Sequence, residues 1–528
     1  MAKSIWMSMT LVVLSVSLGH GATGSAISGT VKGPDGAPYM GSFVRARNQK
    51  TKMTVSVLSD RQGRYRMENL PSGDYEIQVK AVGHKADPRF GIKLAEGQTT
   101  TFDFALQKTM VRWNDLSNFE GTQLLPEGEG REEYIGTCFA CHAFQTRLAG
   151  TRRDEQGIIR SVDYMAEEFK HFFGNRLTEE RKAKIKNYMI KTFALDSDLP
   201  RSPADLPKYK ELKRPEFTDA SMKLVVVDYE TAGPSRFPGT GRPDKNGNIW
   251  MWNYHSNNLS MLNKETGMVR EWKVPNQGPA NIHAVVPAAD GSVWLTESSQ
   301  ANKLARFDPR TETFEEYQDS LDGDPAKGRK HTAEIDLQGN VWSTGRPLTK
   351  FDPRTKKFTH FDEVPQVYGV GVDKEGTVWF AEFTENGKIG KVDVKTNKVT
   401  KYTPPSPDPR PRRLKIDSKG MIWFGEYRAG KIGRFDPKTE TFKEFQLPGP
   451  SPTPYGLGID KNDHIWYTSM EMDIVGRLDP ATGEVTQYPM PYSEVGTRDL
   501  FPDASGEKMW YGTQPNDRVG YFMIASDK

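Results

Sequence analysis

The chain has only two cysteines in 528 residues, Cys138 and Cys141, and both belong to one short motif. A zinc site built on them would need two more nitrogen or sulfur ligands close by, and no further thiol exists to supply one. Charge of one sign is not in excess. The 72 basic residues stand against 69 acidic ones spread through the chain, so the formal +3 makes no electrostatic case for nucleic acid. A strand-linked G-x-G-x-x-G is absent, which removes the usual flavin and nicotinamide fingerprint. Long apolar runs are absent too, except from Ile5 to Leu18, and that run is shorter than the roughly 20 residues a bilayer crossing requires.

That first run reads instead as an export signal. Lys3 gives it a positive start and the small residues Gly21, Ala22, Gly24, Ser25 and Ala26 follow it, so residues 1–26 are expected to be removed near Ala22 or Ala26. The mature protein is then periplasmic or extracellular, with no membrane span. A chain of this length exceeds one ordinary core and predicts about three domains. With 48 Gly and 35 Pro among short β-branched and aromatic runs, the expectation is a mainly β multidomain protein.

Residues 27–108 alternate apolar and polar positions between Gly-containing turns, which predicts a small antiparallel β-sandwich. Ser59, Asp60, Gly63, Tyr65, Leu70, Gly73 and Tyr75 carry a resemblance to the carboxypeptidase regulatory-like (transthyretin-like) domain. That resemblance implies a structural or adhesive accessory. Residues 109–199 turn helical: apolar residues recur near a 3.6 period over 159–173, and Thr178 followed by Glu179 and Glu180 reads as the N-cap and first turn of a helix over 178–194. The Pro-rich, charged segment 200–220 reads as a linker.

Residues 221–528 repeat. A strand ending in Trp recurs at Trp250, Trp294, Trp342, Trp379, Trp423, Trp466 and Trp510, at intervals of 44, 48, 37, 44, 43 and 44 residues. Each interval holds a D-x-x-G turn before the Trp strand and room for four strands, which predicts a seven-bladed β-propeller. The seventh repeat lacks its outermost strand, and a lone strand stands ahead of the first repeat at 222–230. The two are expected to pair and close the ring.

The motif Cys138-Phe139-Ala140-Cys141-His142 places two thiols one helical turn apart with an imidazole next to them. That is the attachment pattern of a c-type haem: both thiols add to the vinyl groups of one covalent haem and His142 binds its iron. A redox disulfide is the competing use of the pair. The surrounding EEYIGTCFACHAF and LTEERKAKIKNYMIKTF resemble a small class I cytochrome c domain, all-α, in which a Met ahead of the terminal helix commonly gives the sixth ligand. Met165 holds the matching place, with Met189, His171 or an open position as the alternatives.

Eleven residues before each blade Trp lies the start of the innermost strand, where side chains face the channel. These positions are Gly239, His283, His331, Tyr368, Arg412, Tyr455 and Asp499; three residues past each Trp stand Asn253, Glu297, Gly345, Glu382, Glu426, Ser469 and Thr513. His283, His331, Tyr368, Glu382, Arg412, Glu426 and Tyr455 are therefore the expected lining, enough for a substrate or metal site or simply for a wet channel. The repeated VWFAE, IWFGE, GKIGK and GKIGR phrases resemble the virginiamycin B lyase (streptogramin lyase) family. The resemblance implies a Mg²⁺-assisted elimination by two His on adjacent blades and a Glu three residues past the second blade's Trp. His283 and His331 match, but Gly345 stands where that Glu would be, and Glu297 follows the first His instead.

Three functions remain. The first is haem-mediated electron transfer, to or from a partner protein or a small molecule in the channel. The second is a lyase of the streptogramin type, in which His283, His331 and Glu297 are catalytic and the haem is an accessory. The third is a non-enzymatic binding protein or scaffold.

Overall fold

The computed structural model describes residues 24–525 apart from 140–143, 169–176, 234–235, 254–255, 276–280, 299–301, 322 and 324–327. Cys141, His142, His171 and all but the end of the expected export signal therefore lie outside the described residues. The first strand begins at Ser25, not Ile27. Ser25 and Ala26 are buried in it, the Ser25 hydroxyl donating to the Ala95 carbonyl at 2.7 Å, so of the two expected cleavage points only the one near Ala22 leaves the strand whole.

The N-terminal unit is two sheets face to face. One contains Arg64–Leu70, Ser25–Lys32 and Thr99–Thr101, and the other contains Met53–Leu58, Phe43–Asn48, Gly73–Lys80 and Arg89–Leu94. Alternating residues such as Ile27, Val44, Val55, Tyr65, Tyr75 and Ile77 meet between them.

Six four-stranded antiparallel sheets follow one another around the propeller, and the seventh contains Phe501–Pro502, Met509–Thr513, Arg518–Ile524 and the early strand Leu224–Glu230. Val226 pairs with Phe522, which is the closure expected from the lone strand at 222–230. Its other edge is also taken: Val225 pairs with Val57 of the sandwich, so blade seven and one sandwich sheet form a single eight-stranded sheet. An open edge is thereby removed from both modules. The ring joins where Arg242 of the first blade lies over the Phe501 ring of the last, 4.6 Å from its centroid.

The repeat has a physical reason. The Trp423 indole donates to Asp417 Oδ2 at 2.8 Å, while Oδ1 accepts the backbone N–H of Lys419 and Met421, each at 2.9 Å. One carboxylate thus holds both the turn and the Trp of the next strand, and Gly420 between them adopts a φ of +81° that a side chain would disfavour. The same bond joins Asp244 to Trp250, Asp336 to Trp342, Asp373 to Trp379 and Asp460 to Trp466. Ala288 and Ala504 stand at that place in blades two and seven.

Among the described residues the helical unit has four α-helices: α1 (Asn118–Leu124), α2 (Arg131–Cys138), α3 (Glu155–Glu168) and α4 (Glu179–Phe193). Thr178 caps α4, its hydroxyl accepting the Arg181 N–H at 3.2 Å, as the sequence predicts. The expected linker is not a free tether. It runs in short 3₁₀ turns whose Leu206 and Tyr209 pack on the helical core.

The helices dock on one face of the ring. The Phe119 N–H donates to the Glu471 carbonyl at 2.7 Å, the Thr146 N–H to Glu494 Oε1 at 3.0 Å, and the Ser493 hydroxyl to the Asn114 carbonyl at 2.5 Å. Glu471 follows the second strand of blade six, and Ser493 and Glu494 lie on the connection into blade seven. That is the face on which the innermost strands begin. Among the described residues no helix is long and apolar enough to cross a membrane.

Candidate functional site

The innermost strands bring most of the predicted channel positions together. The His283 and His331 rings lie 4.4 Å apart between centroids, and His331 lies 4.5 Å from Tyr368. The Tyr368 and Tyr455 hydroxyls meet in a short hydrogen bond across the channel. Arg412 sits among four aromatic faces, its guanidinium carbon 3.6 Å from the Tyr455 centroid, 4.5 Å from Tyr368 and 4.6 Å from Phe383 and from Tyr427. Its Nη2 donates to the Tyr368 oxygen at 3.2 Å and Arg498 Nη1 donates to the Tyr455 oxygen at 3.1 Å. Asp499 is held by Lys415 at 3.3 Å and Arg413 at 3.7 Å.

Gly239 contributes no side chain, and the reason is steric. A Cβ there would lie 1.7 Å from the Trp252 ring, which fills the blade-one sector and stacks on His283 at 5.6 Å. Gly345 is closed in the same way: at φ +147°, its Cβ would lie 1.6 Å from the Arg329 carbonyl oxygen. No carboxylate can occupy that position on this backbone.

The glutamates turn away from the axis. Glu382 bonds Lys401 on its blade's outermost strand at 2.7 Å, and the Glu426 carboxylate lies against the third strand at Gly433. Burial, with Glu444 beside it, pushes Glu426 up to about 7. Glu297 is fully buried at the end of its strand, paired with Ile282 next to His283.

His283 Nδ1 lies 3.0 Å from the Asn281 carbonyl, which can only accept, so Nδ1 carries the hydrogen and Nε2 keeps a lone pair. His331 Nδ1 lies 3.1 Å from Thr332 Oγ1, which also accepts from Arg413 at 2.5 Å. Both rings stay neutral. Burial, reinforced by Arg329, pulls His283 down to about 3, and His331 falls well below its ordinary value through burial and its neighbours His283 and Arg413. Tyr455 differs: burial would raise it, but Arg412, Arg498 and Arg413 outweigh that and bring the phenol down to about 7. Burial keeps Tyr368 raised.

This arrangement offers a neutral nitrogen base, an aromatic floor and several guanidinium donors. Among the described residues no three His, Cys, Asp or Glu side chains stand close enough to share a metal ion. Trp252, Phe383, Arg413, Tyr427 and Arg498 escape a count from the blade Trp because each lies one residue off a counted position. The doubled Arg412-Arg413 and the aromatics directly after Glu382 and Glu426 were their only signal.

Of the haem motif, Cys138 is described. It ends α2 and packs against an apolar core containing Trp113, Tyr134, Phe144, Tyr188, Met189 and Phe193, surroundings that would accept one thioether. Met165 is half-buried on α3, and Met189 is buried in that core on α4.

Residues 354–527 match the virginiamycin B lyase family and residues 26–107 match the carboxypeptidase regulatory-like domain. Among solved structures, selenomethionine-substituted virginiamycin B lyase from Staphylococcus aureus is 19% identical over 57% of this chain and 99% of its own, with a TM-score of 0.52. A streptogramin B lyase is 21% identical over 58% of this chain and 100% of its own, with a TM-score of 0.53. A catalytically inactive virginiamycin B lyase from S. aureus with quinupristin is 20% identical over 56% and 99%, with a TM-score of 0.50. At these identities the likeness is one of fold. No curated protein matches the chain.

Proposed function

We propose that this is an exported redox protein in which one haem c, held at Cys138 and Cys141 with His142 on its iron, works beside a propeller that presents a substrate or partner at the channel mouth. The observation that supports this reading most is where the chain just past the motif lies. Thr146, four residues past His142, bonds Glu494 on the face where the channel ring opens. The haem, when bound, takes and gives one electron. The chain's own residues do the rest. The core around Cys138 excludes water, Met165 is the proposed sixth ligand, and the guanidiniums of Arg412 and Arg498 suit a substrate or partner group bearing negative charge. His283 Nε2, kept neutral by burial, can accept a hydrogen bond from a substrate donor.

The test is haem staining after denaturing electrophoresis, since thioethers survive unfolding. Protein exported alongside haem-attachment machinery should stain, and Cys138→Ala with Cys141→Ala should not. Wild-type protein without covalent haem would overturn the reading. His283→Ala or His331→Ala should slow haem reduction by the natural donor and leave the optical spectrum unchanged.

The neutral His pair on adjacent blades favours one second reading, an elimination of the streptogramin lyase type with His283 as base, Glu297 as the nearby carboxyl and Mg²⁺ as the ion. It predicts magnesium-dependent opening of a cyclic depsipeptide, lost in both His variants and indifferent to haem oxidation state. The closed position at Gly345 ranks it below the redox reading.

A further inference from the structure

A cavity of about 340 Å³ lies where the three modules meet, away from the channel. The sandwich contributes Lys80 to its wall, the helical unit Arg112, Asp115 and Arg147, and the propeller Tyr492 and Glu494. Its charges do not balance. Arg112 is paired with Asp115 at 3.0 Å, and Arg147 lies over the Phe237 ring at 5.2 Å. Lys80 has the Pro491 carbonyl at 3.3 Å as its hydrogen-bond acceptor, and the carboxylates of Asp115 and Asp473 act on it only through space. Enclosure, with Arg45 beside it, pulls the ammonium down to about 8.

The acids in the wall and behind it offset part of this. Burial pushes the Glu494 carboxyl up, and Asp473, which accepts the N–H groups of Glu494 and Val495 at 2.9 and 2.8 Å, is pushed up to about 7. A half-buried ammonium whose carboxylates do not bond it directly keeps room for a closer partner, and an oxyanion in the cavity would supply one.

We propose that this cavity binds a small multivalent oxyanion, a di- or tricarboxylate or a phosphate, with Lys80, Arg112 and Arg147 as its cationic contacts. Because those three side chains come from two modules and the floor from the third, the bound anion fastens the helical unit and the sandwich to the propeller. The site is independent of what the channel mouth binds.

The test is thermal unfolding and calorimetric titration of the full exported chain with citrate, with succinate and with inorganic phosphate, each against sodium chloride of matched ionic strength. At least one of the three is expected to bind saturably and to raise the melting temperature beyond chloride. Lys80→Met and Arg147→Gln are each expected to weaken that binding tenfold or more. Without anion, Lys80→Met should melt no lower than wild type, because it removes an enclosed charge along with the lysine; this separates an anion contact from a structural one. Citrate against phosphate tells carboxylate from phosphoryl ligands. Equal binding by both variants, no saturable binding of any of the three, or binding lost in Arg412→Gln but kept in Lys80→Met would overturn the proposal, the last by moving the anion to the channel.

Discussion

The two halves of the channel mouth use the same strand position for opposite electrostatics. In blades two and three it holds His283 and His331, which shed their charge on burial. In blades four to six it holds Tyr368, Arg412 and Tyr455, where the guanidinium cannot be discharged and a phenol adjusts instead. The propeller thus fixes where a side chain sits and leaves its charge state to its neighbours. The halves also differ in regularity. Blades four to six all carry the Asp–Trp bond at even intervals and lie inside the segment 354–527 that matches the lyase family, whereas His283 and His331 lie outside it.

The comparison breaks down most completely if the ring is opened, because both halves hang from one closure. Leu224, Val226 and Asp228 of the shared strand are fully buried, and the strand serves two modules. Deleting residues 224–230 should lower the melting temperature by on the order of 10 °C or more and broaden the transition. A truncated protein melting like the intact one would refute closure. Under the redox reading, the haem optical spectrum should barely move.

Acid should then separate the halves. Between the ordinary imidazole value of 6.5 and the folded value of about 3, the unfolded chain binds protons that His283 in the fold does not. Stability is therefore full above pH 6.5 and declines as pH falls, by on the order of 2 kcal/mol for His283 at pH 5. Glu426 and Asp473, both raised to about 7, act in the opposite direction between pH 7 and 4. The measurement is consequently the difference between wild-type and His283→Gln denaturation curves at pH 7 and pH 5. Parallel curves would show that the imidazole is not buried neutral.

Blades that carry the Asp–Trp bond should be sensitive where blade two, which lacks it, is not. Asp417→Ala strands the Trp423 indole N–H and two turn N–H groups, and should cost about 1–3 kcal/mol by denaturant unfolding. Blade two already carries Ala288 at that position, so Ala288→Asp should do no comparable harm. Equal losses in both would mean that the bond is incidental to the repeat.

What the sequence disclosed follows the same division. The Asp–Gly–Trp spacing is a local bond pattern, so the blades, their innermost positions and the closing strand could be counted from it. The sandwich edge on Val225 was hidden because strand pairing across 168 residues leaves no local mark, nothing in either strand naming its partner. The glutamates were misplaced around the axis for a related reason: a count fixes which end of the strand a residue occupies, but only Lys401 and Gly433 show that Glu382 and Glu426 face outward. Trp252 came to the channel because Gly239 left room for it, a relation between two positions that neither carries alone.

The last effect expected is also the one that most sharpens the contrast. Two donors, Arg498 Nη1 at 3.1 Å and the Tyr368 hydroxyl, point at the Tyr455 oxygen, with the Arg412 guanidinium stacked on the ring. The phenol folded near 7 and ordinary near 10 means that, between those values, the unfolded chain binds a proton that the fold has released. Stability from this group is complete above pH 10 and declines as pH falls toward 7, so it rises with pH through that window, where the neutral histidines contribute no slope. Absorbance at 295 nm should show one tyrosinate appearing near pH 7 in wild type, the Tyr368 proton staying in place because burial holds it. Tyr455→Phe should remove that early signal and flatten the rise in stability from pH 7 to 10. Arg498→Gln should move the titration back toward 10, because one of the guanidiniums that favour the anion is gone. A wild-type protein with no tyrosinate absorbance below pH 9 would mean that the guanidiniums do not outweigh burial. The arginine half of the mouth would then be discharged through some other group than its phenol.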